Sequence, residues 1–230
     1  MRDIELIKEM LLMQQKLNDD TNSKGWEDGY NSLGKLINWK RCIYMECAEI
    51  VDNFAWKHWK DVKKPTDYEN VRIELVDIWH FILSYALEQA YSKDIDIETL
   101  SKEIACSHGF VKFCNEPFSP KEHSMYEVIN DIEVIIHGCS GSKFELNDLL
   151  TAFFRVAWKC GMSFDNLYKI YIGKNILNKF RQDHGYKEGS YKKMWNGKED
   201  NEILAKFLDS DKISSGDLYK KLEEFYKTLG

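Results

Sequence analysis

The sequence predicts an all-α fold, a single-domain helical bundle. Three observations carry that reading. Apolar residues recur at helical spacing along most of the 230 residues. No alternating apolar–polar run reaches a useful strand length. Only three prolines, Pro65, Pro117 and Pro120, interrupt the chain, and proline breaks helix interiors because it lacks an N–H and clashes with the preceding turn. No internal repeat or low-complexity linker marks a boundary, so residues 1–230 read as one domain.

The elements follow in order. Residues 3–18 place Ile4, Ile7, Met10, Leu11 and Leu17 on one helical face. Asp19 to Gly34 is polar and contains glycine, and reads mostly as a loop. Residues 36–55 read as a long helix with Ile43, Ile50 and Phe54 on one side. Trp56 to Asp67, with Lys63-Lys64-Pro65, is a connection. The stripe Val71, Leu75, Ile78, Ile82 and Ala86 predicts a long helix over 67–91. Further helices are expected at 97–108, 120–137, 145–160 and 163–182, with a break at Asn115–Pro120. Asp183 to Gly197 is rich in Gly, Lys and Tyr and reads as an ordered loop or arm. Helical pattern returns at 200–209 and 215–228. The stretch 92–145 carries no motif and reads as scaffold.

Composition narrows the function classes. The net charge is −6, with a pI near 5.6. A mildly acidic chain is poorly suited to binding the nucleic-acid backbone, so no nucleic-acid partner is expected. No apolar run is long enough to span a bilayer, and the charged start, Met-Arg-Asp-Ile-Glu, lacks the apolar core of a signal peptide. The six cysteines form no C-x-x-C pair. They read as buried thiols of a reducing compartment, so a cytoplasmic location is expected.

Chemistry concentrates in two acidic pairs. Glu46 and Glu49 lie three apart in MECAEIV, and Glu74 and Asp77 lie three apart in RIELVDIWH. Residues at i and i+3 share a helix face. Their neighbours are largely apolar, and carboxylates are seldom buried unless paired or bound to metal. An all-oxygen donor set favours hard Mg²⁺, with Mn²⁺ as a substitute. Zinc would want His or Cys, and a di-iron bundle site wants Glu-x-x-His, which is absent. The alternative is that these acids form ordinary salt bridges on helix surfaces.

A basic segment supplies the second feature. Lys174, Asn178 and Arg181 share a helix face at i, i+4 and i+7, and Lys187, Lys192 and Lys193 follow on a loop with Gly185 and Gly189. Arg and Lys suit phosphate oxygens. Neither a P-loop nor a G-x-G-x-x-G is present. The segment reads as a phosphate clamp or as a solvated arm. Metal plus basic clamp is a recurring solution for phosphoryl chemistry.

Together, ECAEIVDNFAWKHWK (46–60), IELVDIWHF (73–81) and KNILNKFRQDHGYKEGSYKKMW (174–195), with QQKLNDD (14–20), resemble the dimeric dUTPases of the all-α NTP pyrophosphatase superfamily. They are similar to bacterial, Campylobacter-like members. The resemblance implies a fold of that type, a homodimer, and hydrolysis of dUTP to dUMP and pyrophosphate. It also implies hydrolysis of dUDP, by attack at the β-phosphorus. Such an activity limits uracil in DNA and supplies dUMP for thymidylate synthesis.

The resemblance also implies roles. Glu46, Glu49, Glu74 and Asp77 would hold two or more Mg²⁺ ions, with Glu49 accepting the proton of the attacking water. Gln14 and Asn18 would face the uracil edge, with Gln15 as a rival to Gln14. Phe81 would stack under the deoxyribose with His80 beside it. Lys174, Asn178, Arg181 and Lys187 would grip phosphates or close over the nucleotide. Trp56 would meet the base, with His58 and Trp59 as rivals. Two alternatives stay open: a related pyrophosphatase for another nucleotide such as dCTP, and a non-catalytic helical binding protein.

Overall fold

A computed structural model describes residues 1–60, 66–117, 123–141, 144–209 and 215–229. Among them run ten α-helices: α1 Arg2–Asn22, α2 Trp39–Asp52, α3 Tyr68–Ser92, α4 Ile97–Cys106, α5 His108–Asn115, α6 Met125–Ser140, α7 Leu146–Lys159, α8 Phe164–Asp183, α9 Asp200–Asp209 and α10 Ser215–Lys227. The all-α reading holds. The one sheet among the described residues is a two-residue antiparallel hairpin, β1 Met194–Trp195 with β2 Lys198–Glu199, inside the segment expected to be an ordered loop. The connection around Lys63-Lys64-Pro65 and the expected break at 118–120 lie outside the described residues.

Side-chain caps set several helix starts. Asn38 accepts from the Arg41 amide at the head of α2, and Asp67 accepts from the Glu69 and Asn70 amides at the head of α3. Ser124 and Glu127 form a reciprocal capping box on α6. Each cap contributes about 1 kcal/mol by satisfying amides the helix cannot. Capping also explains a difference from expectation. The helix expected at 97–108 ends at Cys106, because Ser107 turns to an extended conformation and its hydroxyl caps α5 at the Phe110 amide. At the other end, α1 runs on through Asp19–Asn22, polar residues that periodicity could not extend.

The long helix α3 is the axis of the main core. Ile78, Trp79, Ile82 and Ala86 have no exposed surface, and Trp79 stacks on Phe153 of α7 at 5.2 Å. Around it pack α1, α2, α7 and α8. A second, smaller core joins the end of α8 to the hairpin, α9 and α10 through Phe180, Trp195, Leu204 and Leu222. Leu167 and Tyr171 of α8 lie in the first core, whereas Leu177 and Phe180 lie in the second. One helix therefore carries side chains from one core to the other.

All six cysteines are free thiols. Cys106 and Cys114, expected to be buried with the rest, are exposed because they lie on the outer faces of α4 and α5. No helix is long and apolar enough to cross a membrane among the described residues.

Close packing of α5 on α7 depends on Gly109. A Cβ there would lie 2.5 Å from Thr151 Cα and 2.9 Å from Leu150 O, both backbone atoms that cannot rotate away. Gly109→Ala should therefore push the helices apart and destabilise by about 1–3 kcal/mol. At about 2–4 °C per kcal/mol for a chain of this size, a thermal melt would register the loss; an unchanged melting temperature would show that the contact is slack.

Candidate active site

Successive turns of α3 supply one side of the site. Glu74, Asp77 and Phe81 follow i, i+3, i+7 and point to one side, where α2 presents Glu46 and Glu49. These residues line a cavity of about 790 Å³, together with Gln14 and Asn18 of α1 and Lys174, Asn178 and Arg181 of α8. That volume suits a small-molecule ligand, for which roughly 300–1,000 Å³ is usual. The segment between α1 and α2 supplies one wall through Asn31, Lys35 and Asn38.

At the acidic end, single carboxylate oxygens of Glu46, Glu74 and Asp77 all lie within 4.8 Å of one another. Glu49 lines the same cavity but stands outside that trio and is the exposed member of the four. Burial first, and then the charges of Asp77, Glu49 and Glu74, push the Glu46 carboxyl up to about 7. Burial and Asp77 push Glu74 up as well. Among the described residues, one cation makes an ion pair with these acids. Lys174 Nζ lies 2.8 Å from Asp77 Oδ2 and 2.9 Å from Asn201 Oδ1, with 1% of its side chain exposed. The acids are gathered rather than individually neutralised.

Arg181 is differently engaged. Its guanidinium binds Asp200 through two bonds of 2.9 and 2.8 Å, and also donates to Asn178 and Asn201. Burial alone would raise the Asp200 pKa, but the Arg181 hydrogen bonds and charge outweigh it and hold the carboxyl below its ordinary range. Any grip of Arg181 on a phosphate starts from a group already committed to Asp200.

The other end is amide-rich. Gln14 and Asn18 are buried and bonded to each other and to Ser84 Oγ. Gln14 Oε1 lies 2.7 Å from His80 Nδ1 and 3.1 Å from the Tyr171 hydroxyl. A carbonyl oxygen can only accept, so His80 carries its proton on Nδ1. His80 stacks on Tyr171 at 4.3 Å. Phe81 stacks on Trp39 at 6.2 Å, and both line the cavity. From Asp77 to Ser84 the helix rises about 10 Å, so the acid and amide ends are separated along α3.

The structure separates several rivals. Gln15 turns away from the cavity to Asp19 and Glu27, leaving Gln14 as the lining residue. Trp56, His58 and Trp59 pack among themselves outside the lining. Lys187 also stands outside it, donating to the Asp20 carbonyl near the end of α1. Sequence reasoning missed Ser84, Tyr171, Trp39, Asn201 and the wall at 31–38. Ser84 and Tyr171 carried a signal, being one turn from His80 and Lys174 respectively. Asn201 carried none, because only the packing of α9 on α8 brings it near.

With this geometry in place, comparison with known families is decisive. Residues 6–186 match a family model described as dUTPase. The chain belongs to the all-α dUTPase family. Membership makes it a dUTP-hydrolysing enzyme, a dUTP diphosphatase, and removes the non-catalytic alternative. A search of curated proteins found no match. The span matched to the dUTPase family holds both acidic pairs, the amide end and the α8 cations. It stops before α9, so Asp200 and Asn201, which hold Arg181 and Lys174, lie beyond it.

His80 makes a pH-dependent contribution. Burial, then the nearby Lys174 charge, push its pKa down from 6.5 to about 3. The folded state therefore favours neutral imidazole, and that stability is fully present above 6.5 and lost as pH falls through this window. Between pH 7.5 and 5.5 the wild type should lose melting temperature more steeply than His80→Asn, which cannot charge. Equal slopes would show that His80 is not held neutral.

Proposed function

We propose that the gathered acids hold Mg²⁺ and that the cavity hydrolyses dUTP to dUMP and pyrophosphate. The single observation that carries this is the convergence of Glu46, Glu74 and Asp77 oxygens within 4.8 Å, with Lys174 the one cation among the described residues that ion-pairs with them. At an effective dielectric near 20, two unit charges 4 Å apart repel by about 4 kcal/mol. Cations offset that repulsion, and an all-carboxylate donor set fits Mg²⁺, with Mn²⁺ as a substitute. Two or more bound ions would supply Lewis-acid stabilisation of the phosphate charge.

The chain's own residues do the rest. Glu49, exposed at the edge of the trio, accepts the proton of the attacking water. Lys174, Asn178 and Arg181 orient the phosphates from α8, with Lys174 exchanging its bond to Asp77 for phosphate oxygen. Phe81, backed by Trp39, stacks under the deoxyribose, and close packing at C2′ excludes UTP. The Gln14–Asn18 end, with His80 behind it, selects uracil. Because the acid and amide ends sit about 10 Å apart, a nucleotide spans the cavity with its base at one end and its phosphates at the other. Attack at the β-phosphorus would extend the activity to dUDP. Trp56 and Lys187 stand outside the cavity and have no part in this reading. A homodimer in the cytoplasm, limiting uracil in DNA and supplying dUMP, completes it.

Two measurements test the proposal. Glu49→Gln should lower kcat at least 10²-fold, the lower bound of roughly 10²–10⁴ for general base catalysis, while dUTP still binds; normal turnover would remove Glu49 from that role. A panel of dUTP, dUDP, dCTP, dTTP and UTP, with and without Mg²⁺, should give turnover only with Mg²⁺, and fastest on the uracil deoxynucleotides. Leaving a buried polar group unpaired against cytosine costs about 1–3 kcal/mol. Equal rates on dUTP and dCTP would instead favour a broader pyrophosphatase, and turnover in EDTA would remove the metal.

A further inference from the structure

A side-chain amide cannot by itself tell uracil from cytosine. Rotating it half a turn exchanges its oxygen and its NH₂, and with them the base pattern it accepts. Something in the fold must hold the amide's polarity, and we propose that Ser84 is that positioning residue. This rests on the reading that the Gln14–Asn18 end meets the base.

Ser84 has no exposed surface and lies between the two amides. Its Oγ is 2.9 Å from the His80 carbonyl one turn back on α3, 3.0 Å from Gln14 Nε2, 3.1 Å from Asn18 Nδ2 and 3.3 Å from Asn18 Oδ1. A hydroxyl has one proton and two lone pairs. The backbone carbonyl, the nearest acceptor and one that can never donate, takes the proton. Ser84 Oγ is then left only as an acceptor, so both amides must turn their NH₂ groups toward it.

The rest of the network follows from that one proton. The second Gln14 N–H goes to Asn18 Oδ1 at 3.1 Å, and Gln14 Oε1 faces away, toward His80 Nδ1 and the Tyr171 hydroxyl. Both N–H groups of Gln14 are thereby used inside the protein, and its oxygen accepts from His80 Nδ1, since the single proton of the Tyr171 hydroxyl has the nearer Met10 carbonyl at 2.9 Å. Asn18 keeps one N–H beyond its bond to Ser84. Gln14 thus acts through Asn18, whose remaining N–H is the donor left for a base. A donor suits the O4 acceptor of uracil, and at the same position it meets the cytosine 4-amino group as donor against donor.

The test is steady-state kinetics of the full chain on dUTP and dCTP for the wild type, Ser84→Ala and Ser84→Thr. Ser84→Ala removes one buried oxygen, and a thermal melt verifies that it folds. Its dUTP over dCTP preference in kcat/KM should fall at least tenfold, mostly through a higher KM for dUTP, while kcat for dUTP and the Mg²⁺ midpoint stay within about twofold. Ser84→Thr, which keeps the hydroxyl and can bond the same carbonyl, should recover most of the preference. A wild type without preference would overturn the base-end reading itself, and with it this inference. A selective wild type whose preference and KM survive Ser84→Ala would overturn the role of Ser84 alone. Equal losses in kcat and Mg²⁺ response would also overturn it, because they would mark a general structural defect.

Discussion

Crowding of like charge is the constraint on which this structure turns. Two helices of the main core each bring a pair of acids to one place, and burial pushes the Glu46 and Glu74 carboxyls up rather than down. Such an arrangement is unfavourable for folding by itself, since each partly buried carboxylate raises the free energy of its neighbours. The apolar packing beneath it absorbs that strain. Ile43, Cys47 and Ile50 of α2, with Leu75, Ile78 and Trp79 of α3, have no exposed surface and hold the helices together. A crowded carboxylate cluster is thus carried by an apolar core beneath it.

The cation side of the cavity answers to a different element. Lys174 and Arg181 belong to α8, but their positions depend on Asn201 and Asp200 at the start of α9. Tyr191 adds a bond to Asp200 from the loop before the hairpin. The smaller core of α8, α9, α10 and the hairpin therefore presents the cations to the acids of the larger core. Since α8 spans both, a shift of the small core relative to α3 would move Lys174 against Asp77. The family match ends before α9, yet the α8 cations within that match are held from beyond it.

Much of this was legible in the sequence, and the residues show why. Helical periodicity found the interiors of all the long helices, because burial on one face leaves its mark at i, i+3 and i+4. The acidic pairs were visible for the same reason, since spacing of three on a helix decides that two side chains share a side. Periodicity was silent where capping and turn geometry decide, so Ser107 splitting α4 from α5 went unread, as did the polar last turn of α1. It was also silent on the burial of single side chains. Cys106 and Cys114 sit in apolar neighbourhoods of sequence but on outward faces of the fold.

The sequence alone determined the fold class, the two acidic pairs, the amides of α1 and the shared face of Lys174, Asn178 and Arg181, because each is a matter of local spacing along one helix. Only the tertiary structure decided which oxygens converge, that Glu49 stands apart from the trio, that Gln14 rather than Gln15 lines the cavity, and that Trp56 and Lys187 stand outside it. It also decided that Ser84 and Tyr171 reach the lining residue Gln14 from behind the cavity, and that Asn201 lines it. Those outcomes depend on the rotation and crossing of helices far apart in the chain, and hydrogen bonds between them, such as Gln14 to Ser84, form only after that packing is complete.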